Sequence, residues 1–397
     1  MRRALLYLLL SAAALLPSCA PRQIDPNPTP IPWTSGNHIR TLKDGATFYP
    51  EMLAALRHAQ RSITLETFAY IDSPIATTFT DLLATKARSG VKVRLILDQL
   101  GSKHLSEPHL TALRNSGAEV HLYHPFTIFR PWRTNNRTHR KILIVDGKIA
   151  FTGGAGIAHD WARTSPPPWR DTMYRFTGPA VGQLQRSFAE NWQEVSHTPL
   201  TGPAFFPQTQ TQDGPYRAAI VSDSPWTNRK NPLGTHFYRA ITDAKRTLLL
   251  QQAYFVPSVR YRRALLAAAA RGVKITVIVP SSNIDSQITR WSSQLHWQSY
   301  LDAGIELYEY RPSMLHARLL IADGEHVITG SGNLDDRAFF INDEANLHVL
   351  SKAFAREQTL LFRRDQERAT RITADKLPSL LPPLHKRLAG RIMTLQL

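Results

Sequence analysis

Along the chain, stretches with apolar residues at helical spacing alternate with short apolar runs rich in β-branched residues. Ile75 to Arg88 is one helical stretch, and the strand-like run beginning at Val91 follows it. Tyr261 to Arg271, followed by the run beginning at Val273, repeats the order. Alternation of this kind predicts an α/β protein whose sheets are buried under helices. The rhythm stops between residues 199 and 216, where Pro199, Pro203, Pro207 and Pro215 stand among Thr, Gln and Gly; this stretch predicts a linker.

The body is written twice. Thr64 to Tyr70 matches Leu249 to Tyr254, Gly90 to Leu97 matches Gly272 to Val279, and Gly117 to Tyr123 matches Gly304 to Tyr310. The linker therefore separates two homologous halves, expected at 44–198 and 217–397. The offset between halves is 182 residues at Gly90 and Gly272, 187 at Gly117 and Gly304, and 177 at His139 and His316. The first half thus carries ten extra residues just before His139, within Phe126 to Asn136. There Phe126, Ile128, Phe129 and Trp132 interleave with Arg130 and Arg133. Aromatic residues suit the headgroup boundary of a bilayer and arginines suit anionic phosphates, so this segment is a candidate membrane-facing lip. It could equally pad the junction between the halves.

Candidate chemistry sits at one place in each repeat. His139, Lys141 and Asp146 form an H-x-K-x4-D pattern around the apolar run Ile142 to Val145; His316, Arg318 and Asp323 repeat it around Leu319 to Ala322. On a strand, residues i and i+2 project from one face, so each copy aims an imidazole and a cation at the same point. Two such copies supply a nucleophile, a proton donor and fixed positive charge, which is what cleavage of a phosphodiester requires. No spaced cluster of His, Cys and acidic residues of metal-ligand type accompanies them, so neither a metal nor another cofactor is expected.

The doubled motif resembles the phospholipase D superfamily, and within it the bacterial cardiolipin synthases. The similarity runs from about Asp44 to the C-terminus and includes Asn136 to Lys141, Trp169-Arg170-Asp171, Phe255-Val256-Pro257, Gly330 to Asp335 and Asn342 to Leu347. It implies a mixed sheet flanked by helices in each half, a pseudo-twofold axis, one active site at the interface, a covalent phosphohistidine and no metal. Carried onto this chain, His139 and His316 become nucleophile and general acid/base, with His139 taken as the nucleophile. Lys141, Arg318 and Asn333 bind the phosphate, and Asp171 and Glu344 each orient a histidine. The chain departs from the pattern at three positions. Arg318 replaces lysine, Gly156 occupies the place that Asn333 has in the other half, and Ala338 stands where serine is usual.

Lys and Arg total 48 against 31 Asp and Glu, a net charge of +17 that favours phosphate-rich partners: phospholipids, an anionic membrane surface or nucleic acid. The N-terminus selects among these. Arg2 and Arg3 precede an uncharged run, Ala4 to Leu16, that is too short to span ~30 Å of hydrocarbon and reads as an export signal. Leu16-Pro17-Ser18-Cys19 resembles the lipobox of bacterial lipoproteins, which makes 1–19 a leader and Cys19, the only cysteine, an acylation site. Residues 20–43 would be a Pro-rich tether, in which the twelve residues Pro21 to Pro32, at ~3.1 Å each, hold the body up to roughly 40 Å from a periplasmic membrane face. Because Ala20 follows Cys19, that face would be the outer membrane's. The expected activity is phosphatidyl transfer between membrane lipids. The alternatives are a hydrolase of the same fold, either a phospholipase D or an exported nuclease, and a lipoprotein that binds lipid without turning it over.

Overall fold

The computed structural model describes residues 24–25, 27–126, 131–163, 166–208, 213–225, 230–377, 383–384, 386 and 390. The predicted helix at 75–88 spans Pro74–Arg88 for local reasons. Ser73 accepts a hydrogen bond from the Ala76 N–H, Pro74 occupies the first turn, and Ala76, Phe79, Thr80, Leu83 and Ala84 form its buried stripe. Burying Leu83 alone contributes about 2 kcal/mol. The helix ends before Gly90, whose φ of 90° suits glycine, and the chain turns directly into the strand Lys92–Asp98. In the second half Gly272, at φ 89°, makes the same exit from the helix Val259–Ala270 into the strand Lys274–Pro280.

Each half builds a mixed sheet on one plan. In the first, Ser62–Thr67, Lys92–Asp98 and Glu119–Tyr123 run parallel, and Ser62–Thr67 pairs antiparallel with Lys141–Val145. Ile149–Gly153, Thr172–Thr177 and His38–Lys43 continue the sheet outward to seven strands. The second sheet repeats this order with Thr247–Gln251, Lys274–Pro280, Glu306–Tyr310, Leu319–Ala322, His326–Gly330, Glu344–Leu350 and Gly214–Asp223. It gains an edge strand at each side, Thr34–Gly36 and Ala369–Ile372, and so has nine. Outer helices cover one face of each sheet. The inner faces share a single apolar cluster with the helices Pro179–Ser196 and Lys352–Glu367, joining Ile142, Phe176 and Trp192 to Leu319, Leu347 and Phe362. The two halves are therefore one packed body.

This packing corrects two expected boundaries. His38–Lys43 is the counterpart of Gly214–Asp223 and belongs to the first sheet, so the first half starts before residue 44. The described residues from 24 to 33 do not form a free spacer. Ile24 and Ile31 pack on the apolar cluster of the second half, the Thr29 carbonyl contacts a ring nitrogen of His236, and Arg217 lies over the Trp33 ring. The prolines keep this stretch extended, and apolar burial docks it. Cys19 and the leader lie outside the described residues.

Candidate active site

His139 and His316 are held by backbone that crosses the interface. The two strands expected to carry them begin later, at Lys141 and Leu319, and each histidine sits in an extended segment just before its strand. The His139 N–H donates to the Asp343 carbonyl at 2.9 Å, and the His316 N–H donates to the Arg170 carbonyl at 2.7 Å. Isolated bridges, Thr138 with Asp343 and Arg170 with Leu315, fix the register. Each histidine therefore lies beside the residue that follows its partner segment in the other half.

Those neighbours are the two acids. His139 Nδ1 is 2.8 Å from Glu344 Oε1, and His316 Nδ1 is 2.7 Å from Asp171 Oδ2. Each acid serves the histidine of the opposite half, and both carboxylates are fully buried. Among the cations, Lys141 Nζ donates to the His139 carbonyl at 2.6 Å, and Arg318 Nη1 donates to the His316 carbonyl at 2.7 Å. The same job is done in both halves. Asn333 Oδ1 accepts from Arg318 Nε at 2.9 Å and fixes the plane of the guanidinium. Arg318 Nη1 is also 2.8 Å from His316 Nδ1. Because Nδ1 must carry its proton toward Asp171, that contact is guanidinium lying alongside imidazole. The tautomer leaves the lone pair on Nε2.

The site's electrostatics are unequal. Burial, and then Arg318, holds His316 at about 4, so this imidazole is neutral at ordinary pH. Burial also holds His139 well below its usual value, with Lys141, Arg318 and Arg337 acting in the same direction. Lys141 is pushed well down by burial and by Arg318 beside it. Glu344 is lifted by burial to about 7, even with Lys141 opposing. Lys141 and Arg318 thus stand beside imidazoles held toward their neutral forms, and an anionic phosphate between them would favour both cations.

Asp146 and Asp323 are corrected: neither lies with the histidines. Each sits beyond the far end of its strand, roughly 15 Å from the cation at the start for a five-residue rise. Asp146 and Gly147 both have positive φ, as do Asp323 and Gly324, and these pairs turn the two hairpins. Asp146 Oδ1 accepts from the N–H groups of Gln60, Arg61 and Ser62, at 2.7 to 3.1 Å. Asp323 does the same for Lys245, Arg246 and Thr247. Burial opposes its charge, but these three N–H groups hold its carboxyl below the usual range. The aspartate of the motif is a turn and strand-capping residue.

The departures noted above have local causes. A Cβ on Gly156 would lie 2.7 Å from the Ala69 carbonyl oxygen, so the first half has no room for a counterpart of Asn333. Ala338 is buried in the second half's core, where its N–H caps onto Asp335 Oδ1 at 2.7 Å. Sequence reasoning missed the aromatic wall: Phe68 edge-on to His139, and Trp161 and Trp169 each 5.2 Å from the His316 ring. It also missed Ser331, which donates to Glu344 Oε2, although Ser331 lies inside a motif that was recognised. In the inserted segment, the helix Pro131–Asn135 is tied to both halves. Arg133 pairs with Glu194 at 2.7 Å, and Arg337 donates to Asn135 Oδ1 at 3.0 Å. Phe126 is 71% exposed. Ile128, Phe129 and Arg130, with the side chain of Trp132, lie outside the described residues.

Comparison with known proteins places this geometry. The family described as cardiolipin synthase, PLD-like domain matches residues 52–165 and 237–366. A probable cardiolipin synthase of Bacillus subtilis is 30% identical over 85% of this chain and 67% of its own length. Cardiolipin synthase A of Pseudomonas putida is 30% identical over 87% of this chain and 71% of its own. Among solved structures, a phosphatidylserine synthase of Haemophilus influenzae superposes with a TM-score of 0.69 at 11% identity, covering 91% of this chain and 95% of that one. The last likeness is one of fold.

Proposed function

We propose, for a chain that belongs to the family of cardiolipin synthase PLD-like domains, phosphatidyl transfer between membrane phospholipids through a phosphohistidine. The observation that carries this reading is the crossed pair of histidine–carboxylate dyads around Lys141 and Arg318. It offers two imidazoles to one phosphate and supplies cations for the non-bridging oxygens.

The unequal dyads divide the work. His316 is neutral, with its Nδ1 proton directed at Asp171, and presents the Nε2 lone pair of a nucleophile. Glu344, lifted to about 7, is protonated in a large fraction of molecules at neutral pH, and a protonated Glu344 donating to His139 Nδ1 leaves the imidazole proton on Nε2, facing the substrate. His316 Nε2 attacks phosphorus, the bond to the leaving alcohol breaks, and His139 Nε2 protonates that oxygen while the Glu344 proton passes to His139 Nδ1, leaving a neutral imidazole and a carboxylate. In the second step His139 Nε2 takes a proton from the hydroxyl of an incoming lipid and its Nδ1 proton returns to Glu344, while the lipid oxygen displaces His316. This order reverses the expectation that His139 is the nucleophile. The test is to quench turnover and map the phosphohistidine by mass spectrometry: His316 is expected, and His139 would restore the first assignment.

Incubation with labelled phosphatidylglycerol, and separately with DNA, tests the activity. Cardiolipin and free glycerol are expected, with DNA intact. Phosphatidic acid alone would establish a hydrolase, DNA cleavage a nuclease, and lipid binding with neither product a non-catalytic lipoprotein.

The membrane is reached, on this reading, through an acylated Cys19 and the inserted lip. Among the described residues no helix is long and apolar enough to cross a bilayer. Exposed Phe126 at the edge of an insertion tied to Arg337, whose charge acts on His139, supports a lip beside the site. Replacing Phe129 and Trp132 with Ser should depress activity on bilayers and spare a short-chain soluble phosphodiester. Equal loss on both substrates with a lower melting temperature would make the insertion padding. Mass spectrometry of the mature N-terminus decides the anchor, and an unmodified Cys19 would remove it.

A further inference from the structure

The two halves hold their carboxylates with different donors. Ser331, fifteen residues after His316, donates its hydroxyl to Glu344 Oε2 at 2.5 Å. Fifteen residues after His139 stands Gly154, with no side chain to do the same for Asp171. A serine would not fit there, because a Cβ on Gly154 would lie 2.3 Å from Asp171 Oδ1 and 2.8 Å from Arg318 Nη1. The donor comes from elsewhere. Trp161 Nε1 donates to Asp171 Oδ2 at 2.9 Å. Trp161 stands twenty-two residues after His139, and Ala338, twenty-two after His316, offers no side-chain donor. A shared duty has moved from one position in the repeat to another.

The geometry around Trp161 is tight. The indole N–H and His316 Nδ1 converge on one oxygen of Asp171, while Oδ1 accepts from the Thr172 N–H at 2.7 Å. The carboxylate cannot rotate without losing one of these bonds. Trp161 is itself fixed: its ring is buried edge-on to Trp169 and His316, and its carbonyl oxygen lies where a Cβ on Gly45 would be, 1.9 Å away.

We infer that Trp161 is a positioning residue for His316, holding Asp171 in the orientation that fixes the histidine's tautomer and draws off part of the carboxylate's charge. The inference rests on the proposal that His316 is the nucleophile. Other charged groups face Asp171 as well. Arg318 adjoins it from the second half. Asp44 accepts from its N–H at 3.2 Å, Arg170 precedes it and is paired with Asp365 at 2.8 Å, and Lys141 acts on it from two strands away in the same sheet. All of these remain when the indole N–H alone is removed.

Trp161→Phe makes that removal in the full chain, together with part of the ring's volume. Without the N–H, Asp171 turns more freely and holds the His316 proton more strongly. On phosphatidylglycerol in mixed micelles, kcat should fall about tenfold with KM within about twofold, as for loss of an orienting outer-shell bond. The acid limb of kcat/KM should move to higher pH by about half a unit or more. Leu83→Val, a core change in the same half, should lower the melting temperature and leave the pH profile in place. Trp161→Phe with wild-type kcat and pH profile would overturn the inference, and so would a fall in kcat without movement of the acid limb. If the phenylalanine variant does not fold, benzothienylalanine at position 161 keeps the indole's shape without its N–H and is judged by the same two readouts. A phosphohistidine mapped to His139 would overturn the nucleophile assignment itself, whatever Trp161→Phe does.

Discussion

Arg318 offers the sharpest test of the site, because the pseudo-symmetric half already contains the control. Arg318 Nη1 donates to the His316 carbonyl at 2.7 Å just as Lys141 Nζ donates to the His139 carbonyl at 2.6 Å. A lysine at 318 therefore has a conformation ready for it. Arg318→Lys keeps the charge and the carbonyl bond and loses the Nε–H bond to Asn333. A hydrogen bond from a charged donor to a neutral acceptor is worth about 1.5 kcal/mol, or roughly tenfold in rate. Arg318→Ala also removes a charge-assisted donor to the developing phosphorane. That loss is on the order of 3 kcal/mol, or roughly 150-fold in kcat/KM. A second readout follows from the histidines. Arg318, after burial, holds both below their ordinary range, with His316 at about 4. His316 acts as a nucleophile only when unprotonated, so activity is lost as pH falls through its pKa. Without Arg318 that pKa rises, and the acid limb moves up from about 4; the lysine variant should hold it nearly in place. The assay is kcat/KM on labelled phosphatidylglycerol in mixed micelles across the pH range. An alanine variant within threefold of wild type, or a lysine variant as slow as the alanine one, would refute the reasoning.

His139→Ala and His316→Ala should each abolish turnover, whereas Asp171→Asn reduces it less; near-wild-type rates in either histidine variant end the shared-site account. Glu344→Gln should erase the basic limb of the pH profile, because the proton held near pH 7 is lost as pH rises through that value, and a limb that survives would place that proton elsewhere. Asp365→Asn leaves the buried Arg170 guanidinium, now paired with Asp365 at 2.8 Å, with only the more distant Asp44 at 3.6 Å; it should cost about 3 kcal/mol in urea unfolding, and an unchanged midpoint would contradict that. Asp146→Asn should lower the melting temperature while the folded enzyme keeps wild-type kcat, since the carboxylate caps backbone and does not meet substrate; a selective loss of kcat would return Asp146 to the site.

The chain's local patterns determined a good deal. Helix and strand runs, the doubled body and the two His-x-cation motifs are properties of short segments, where spacing and composition act over a few residues. The hairpin role of Asp146 and Asp323 was also legible, because each precedes glycine between two apolar strands, but the motif reading claimed the residues first. Tertiary structure decided the rest. Asp171 and Glu344 follow the first and second histidines at similar distances, and spacing alone would have paired each with the histidine of its own half. The crossed assignment exists only because the segments before His139 and His316 bridge to the opposite half. Trp161 reaches Asp171 for a similar reason: its position depends on a glycine contact and an aromatic stack, neither of which carries a periodic signal. The extended N-terminal stretch read as a spacer because its prolines exclude helix, yet whether such a stretch hangs free or docks depends on the apolar surface it meets. That surface is assembled from residues of the second half, far along the chain from Val221 onward, and no local pattern records it.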